Sequence, residues 1–233
     1  MNIQTYINDV SLNWEKFEYE SRVGDIIPFP FEIRSRELLA YANRDLETED
    51  KRGLIGALKN TKSAIDCQVD SILKVLGLKK GRNFPQKAGQ INQLGLLAPR
   101  VLKRIVTMRN QLEHDFALPE RNQVEDAVDI ATLFIEITDR VFRMFDVEFV
   151  LGELKHNPIL DLDKGRYLHF VFNKDNPSYL VTGKSEGKEL FTEKVQSSSG
   201  LYVPILKMSI LCDLNYWTED YEKSIEEFFN IAK

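Results

Sequence analysis

Cysteine is scarce in this chain. Two cysteines, Cys67 and Cys212, stand among 233 residues, and nothing in the sequence points to export, so both read as buried free thiols and not as a disulfide scaffold. Three histidines add no close Cys/His spacing, so no zinc-ligand pattern forms and no metal is expected. Glycine (12) and proline (8) are sparse, which excludes collagen-like and Pro/Gly-rich disordered classes. No stretch of 18 apolar residues occurs, so no transmembrane helix is expected. The N-terminus, MNIQTYINDVSLNWEKFEYE, lacks the basic and apolar regions of a signal peptide. The expectation is a cytoplasmic protein with no membrane partner. An excess of positive charge is lacking too. With 31 basic and 36 acidic residues the net charge is −5, which is not the balance of a basic nucleic-acid binder.

Another absence is local. From Ser71 to Leu112 there is no Asp or Glu, while nine basic residues occur there, Lys79, Lys80, Arg82 and Lys103 among them. The rest of the chain holds 22 basic against 36 acidic residues, a balance of −14. Such runs are often only a solvated face. This one leads directly into the helix discussed below, and Lys79, Lys80 and Arg82 in a loop suit a phosphate backbone. Cofactor motifs are missing. GKSEG at 183–187 is not a P-loop, and there is no GxGxxG, GxSxG or HExxH. Asp161 and Asp163 lack the twelve-residue calcium pattern and read as a turn. No cofactor is expected.

What is present is helical first. A loose helix is expected from about Asn8 to Arg22, then a break at IIPFPF, since two prolines forbid a helix interior. Helices follow at about Phe31–Leu46 and Glu49–Leu76, the latter stopped by Gly77. A short helix from Pro85 to Leu94 comes next, then one from Ala98 to Asp115. Pro119 opens the last, whose seam runs Val124, Ala127, Ala131, Phe134, Thr138, Val141, Phe145. After Asp146 short runs rich in Val, Tyr, Phe and Leu alternate with turn residues: VEFVLGELK, RYLHFVFN, SYLVTG, KELFTEKVQ and LYVPILKM. Leu168, Phe170 and Phe172 share one strand face, with His169 opposite; His156 reads as a loop residue. An acidic helix from about Thr218 to Ala232 closes the chain. The expected fold is α+β: an N-terminal all-helical bundle, residues 1–146, followed by a small antiparallel β domain, residues 147–233, closed by a C-terminal helix.

On a wheel of about 100° per residue starting at Val101, Ile105, Met108 and Leu112 form one core stripe. Leu102 and Val106 fall on a second side with Arg109, Asn110, Glu113 and His114. A mixed face of this kind suits a subunit interface or a lined cleft. Arg109-Asn110-Gln111-Leu112-Glu113-His114 is an Arg-x4-His motif with a polar residue after the arginine. In its all-helical setting it resembles the HEPN superfamily, over roughly residues 30–146.

That resemblance implies a HEPN-like bundle and a homodimer whose two motifs face each other. It further implies a metal-independent endoribonuclease working on RNA, in toxin–antitoxin or phage-defence systems, with an antitoxin or other protein partner. Arg109, Asn110 and His114 are then the catalytic candidates, with Lys79, Lys80, Arg82 and Lys103 as RNA contacts. The chemistry fits these residue types. Attack by a 2′-hydroxyl needs a proton acceptor, a proton donor and positive charge for the phosphorane-like transition state. Histidine exchanges protons near neutrality, and guanidinium clamps phosphate oxygens. The toxin members paired with a nucleotidyltransferase carry His-x-Tyr, where this chain reads His114-Asp115-Phe116, so adenylylation of a tyrosine hydroxyl has no target here. The alternative is a non-catalytic HEPN-like dimeric module that binds nucleic acid, a nucleotide or a protein. A plainer reading also stands: Arg109 and His114 are helix-end residues engaged locally by Glu113 or Asp115.

Overall fold

The segment FEYE at 17–20 alternates apolar with polar residues, and it opens a strand where a helix was expected. The computed structural model describes residues 1–9, 17–96, 99–153, 165–214 and 219–232. In it, β1 (Phe17–Asp25) pairs antiparallel with β2 (Phe145–Glu153), with Tyr19 opposite Leu151 and Asp25 opposite Phe145. β3 (Arg166–Asn173), β4 (Ser178–Ser185) and β5 (Lys188–Gln196) complete a five-stranded antiparallel sheet in the order β1-β2-β3-β4-β5. The expected order, an all-helical N-terminal bundle followed by a β domain, is therefore overturned. A sheet strand precedes the bundle, and the helical segment is inserted between two neighbouring strands. The chain divides into a sheet unit, Met1–Ile27 with Arg143–Lys233, and a helical unit, Pro28–Phe142.

The sheet unit is held by aromatics on one face. Tyr19 stacks on Phe149 at 4.8 Å between ring centroids, and Phe149 stacks on Phe170 at 4.6 Å. Phe17 and Tyr19 point into this core while Glu18 is exposed, the alternation a half-buried strand requires. Asp146 is buried and accepts hydrogen bonds from the Tyr19 hydroxyl and, at 2.8 Å, from the Ser21 hydroxyl. Two helices cover this face. Tyr202 of α8 (Tyr202–Leu214) packs on Tyr179, and Phe228 of α9 (Glu219–Ala232) packs edge-on to Phe170 at 5.7 Å. LYVPILKM, expected as a strand, thus forms the start of α8. Its apolar residues face all round and are buried nearly throughout, a pattern in which periodicity does not separate strand from helix. Pro204 falls in the first turn, where a missing N–H is harmless. The short α1 (Ile3–Asp9) belongs to this unit and packs on α9.

In the helical unit, α2 (Ser35–Glu47) and α3 (Lys51–Val75) form the frame for α4 (Phe84–Gln93), α5 (Pro99–His114) and α6 (Arg121–Thr138). Asp50 caps α3 by accepting from the Gly53 N–H at 2.7 Å, and Gly77, at φ 65°, follows its last turn. The expected seam on the last helix breaks at Asp139. A four-residue α7 (Arg140–Arg143) follows, and Phe145 already belongs to β2. A buried polar cluster ties three helices. The Ser35 hydroxyl donates to Gln68 Oε1 at 2.6 Å, and Gln68 Nε2 donates to Thr138 Oγ1 at 3.0 Å. Cys67 is a free, half-buried thiol, and that burial pushes its pKa up. The Cys212 side chain lies outside the described residues. No helix among the described residues is long and apolar enough to cross a membrane.

Candidate functional site

Helix α5 buries Leu102, Ile105 and Leu112 and half-buries Val106 and Met108. Leu102 therefore joins the core stripe, and the second face expected from the wheel is narrower. It keeps Arg109 and Glu113, both half-buried, beside exposed Asn110 and His114. Arg109 Nη1 forms an ion pair with Glu113 Oε2 at 2.5 Å and reaches Asn110 Oδ1 at 3.4 Å. Asn110 is thus turned to the guanidinium. Nε and Nη2 of Arg109 have no partner among the described residues.

The helix ends at His114, and the chain turns there without a glycine. Asp115 and Ala117 both donate to the Gln111 carbonyl, at 3.0 and 3.3 Å, around Phe116 at φ 54°. This turn and the first turns of α3 enclose a groove of about 700 Å³. Its lining is Lys51, Ile55 and Lys59 from α3, Leu112, Glu113 and His114 from α5, and Phe116 and Leu118 beyond it. Lys51, Ile55 and Lys59 share a stripe because they are spaced by four. Both lysines are exposed, and neither pairs with a carboxylate among the described residues. Glu113, the one acid in the lining, is already held by Arg109.

Arg109 and His114 lie five residues apart, which places them about 140° apart around the helix and about 7.5 Å apart along it. They therefore stand at opposite margins of that second face, on successive turns.

The loop portion of the basic stretch lies elsewhere. Lys79, Lys80 and Arg82 follow the far end of α3; Lys59 and Val75 are 16 residues apart, about 24 Å of helix. Their loop is pinned by Gln90, whose Nε2 donates to the Lys79 carbonyl at 2.7 Å and whose Oε1 accepts from the Gly81 N–H at 2.9 Å. Lys80 pairs with Asp70, and that hydrogen bond pushes its ammonium pKa up. Lys87 pairs with the same carboxylate at 2.8 Å. Only Lys79 and Arg82 of the loop stay exposed and unpaired among the described residues. The side chain of Lys103 lies outside the described residues, as do His156, Asp161 and Asp163.

His169 is half-buried, with Nε2 2.9 Å from Glu148 Oε1. Among the described residues no three His, Cys, Asp or Glu side chains gather as a metal-ligand set. The groove residues of α3 escape a reading of the sequence because the Lys-x3-Ile-x3-Lys stripe looks like any solvated face until α5 is laid beside it. Compared with known protein families, with curated proteins and with solved structures, the chain matches none.

Proposed function

We propose that this protein acts on RNA as a metal-independent endoribonuclease at a cleft formed by two copies of its helical unit. The observation that carries this reading is the exposed His114 at the lip of a groove with two unpaired lysines, one and a half turns from Arg109. The 140° divergence within one helix supports a composite site. In a two-fold dimer, His114 of one copy takes the 2′-hydroxyl proton while the partner's His114 protonates the leaving 5′-oxygen. Arg109 meets the nonbridging oxygens with Nε and Nη2, and Asn110 and Glu113 steady its Nη1. The resemblance to HEPN proteins adds the setting: the cytoplasm, a toxin–antitoxin or phage-defence system, and an antitoxin or other protein partner.

The test is incubation with tRNA or total RNA in EDTA, alongside light-scattering mass. Wild type cleaves and His114→Ala and Arg109→Ala lose at least 100-fold in rate, while all three remain dimers. A strict monomer, or cleavage that survives both substitutions, overturns the proposal. A second reading, a non-catalytic RNA-binding dimer, is favoured by one observation, the Arg109–Glu113 pair that occupies part of the guanidinium. RNA that is bound but left intact decides for it.

A further inference from the structure

We infer that the groove beside His114 accepts one unpaired nucleobase of single-stranded RNA, stacked on Phe116, with flanking phosphates on Lys51 and Lys59. The inference rests on the RNA-directed reading above and names its substrate class.

Phe116 is the starting point. A phenylalanine at φ 54° is strained, because its Cβ crowds the backbone in the left-handed region. Burial does not offset that strain, since the side chain is 88% exposed. A strained aromatic held in water at the mouth of a groove is costly on its own and useful to a ligand with a flat face. The groove has the volume of a small-molecule site, and Ile55, Leu112 and Leu118 give it apolar walls.

Charge selects the ligand. With Glu113 engaged by Arg109, the free charges in the lining are Lys51 and Lys59, so the occupant is anionic as well as flat. The two lysines lie eight residues apart on α3, about 12 Å, so each meets a different phosphate of one strand. Stacking on an aromatic together with a cationic track is how single strands are held. A base inside a duplex has both faces covered by neighbours and does not reach Phe116.

The test uses the full chain and a 2′-O-methylated oligoribonucleotide, which lacks the hydroxyl needed for cleavage, with fluorescence anisotropy as the readout. Phe116→Ala weakens binding about tenfold, Phe116→Trp retains it, and Lys51→Ala with Lys59→Ala lowers the slope of log affinity against log salt by about two. Phe116→Gly separates binding from folding: it relieves the positive φ, so the melting temperature rises while affinity falls. A duplex of the same sequence binds with no dependence on Phe116. The inference is overturned if Phe116→Ala binds like wild type, if the duplex competes equally, or if an acidic aromatic peptide displaces the oligonucleotide. The nuclease reading fails separately. If the strand binds through Phe116 but all-ribose RNA is never cut, this inference stands without it. If RNA is cut equally well by Phe116→Ala, the reverse holds.

Discussion

Glu113 stands between two uses of Arg109. Its carboxylate lies 2.5 Å from Nη1, both side chains are part-exposed, and the pair is the i,i+4 type that stabilises a helix by only about 0.3–0.5 kcal/mol. Under the proposed RNA-directed function, a phosphate meeting the same guanidinium has to share it with this acid, and RNA approaching His114 also meets the negative charge directly. Glu113→Gln removes the charge and keeps a hydrogen-bond acceptor of the same shape. RNA affinity is expected to rise about threefold in low salt, and the gain to shrink as ionic strength screens the removed charge. Anisotropy titrations at two salt concentrations check this. Weaker binding by Glu113→Gln means that the acid positions Arg109 more than it competes with RNA. The motif itself was legible from Arg109, Asn110 and His114. A local ion pair with Glu113 or Asp115 was legible as well; which of the two acids takes Nη1 was not, because each has several rotamers and only the fold selects the one that reaches it.

Among the elements, the strands after Asp146 were readable because each alternates over one buried face: Leu168, Phe170 and Phe172 are all buried in β3. The β4–β5 connection is a tight hairpin with Glu186 and Gly187 both at positive φ, as a two-residue turn demands. β1 was hidden for a physical reason. Only Phe17 and Tyr19 mark its inner face, and the partner that makes that face an inner one lies far away in sequence. α8 was hidden by its burial, since an element apolar on every side has no period to read. One glycine shows how closely the sheet is built. The Phe191 ring lies across Gly183 on the neighbouring strand, and a Cβ added there would come within 2.0 Å of its Cε1. Gly183→Ala is therefore expected to destabilise the sheet unit by about 2 kcal/mol, the cost of overpacking a rigid ring. Urea unfolding measures it, and a second substitution, Phe191→Leu, is expected to recover part of the loss. A null effect of Gly183→Ala means that the ring shifts freely and does not pin the β4–β5 register.

For the whole molecule the deciding fact is that Asp25 and Phe145 are direct partners across β1 and β2. The chain therefore leaves the sheet after Asp25 and rejoins it at Phe145, the residue paired with the one it left from. An insertion of about 120 residues adds only slowly to the loop-closure cost, because that cost grows with the logarithm of length. Each unit buries its own core, Tyr19, Phe149 and Phe170 in one and Leu58, Ile65 and Ile72 in the other. Replacing residues 28–142 with a short Gly/Ser turn is therefore expected to leave a folded sheet unit with a cooperative urea transition. Residues 28–142 expressed alone are expected to fold as well. Every described residue of the candidate site belongs to that excised segment: Lys51, Lys59, Arg109, Asn110, His114 and Phe116. If the proposed ribonuclease site is built wholly from the helical unit, the excised piece is expected to dimerise and to cut RNA within about threefold of the rate of the full chain, a difference of under 1 kcal/mol in the barrier. A folded, dimeric piece that binds RNA but has lost cleavage places an essential group in the sheet unit.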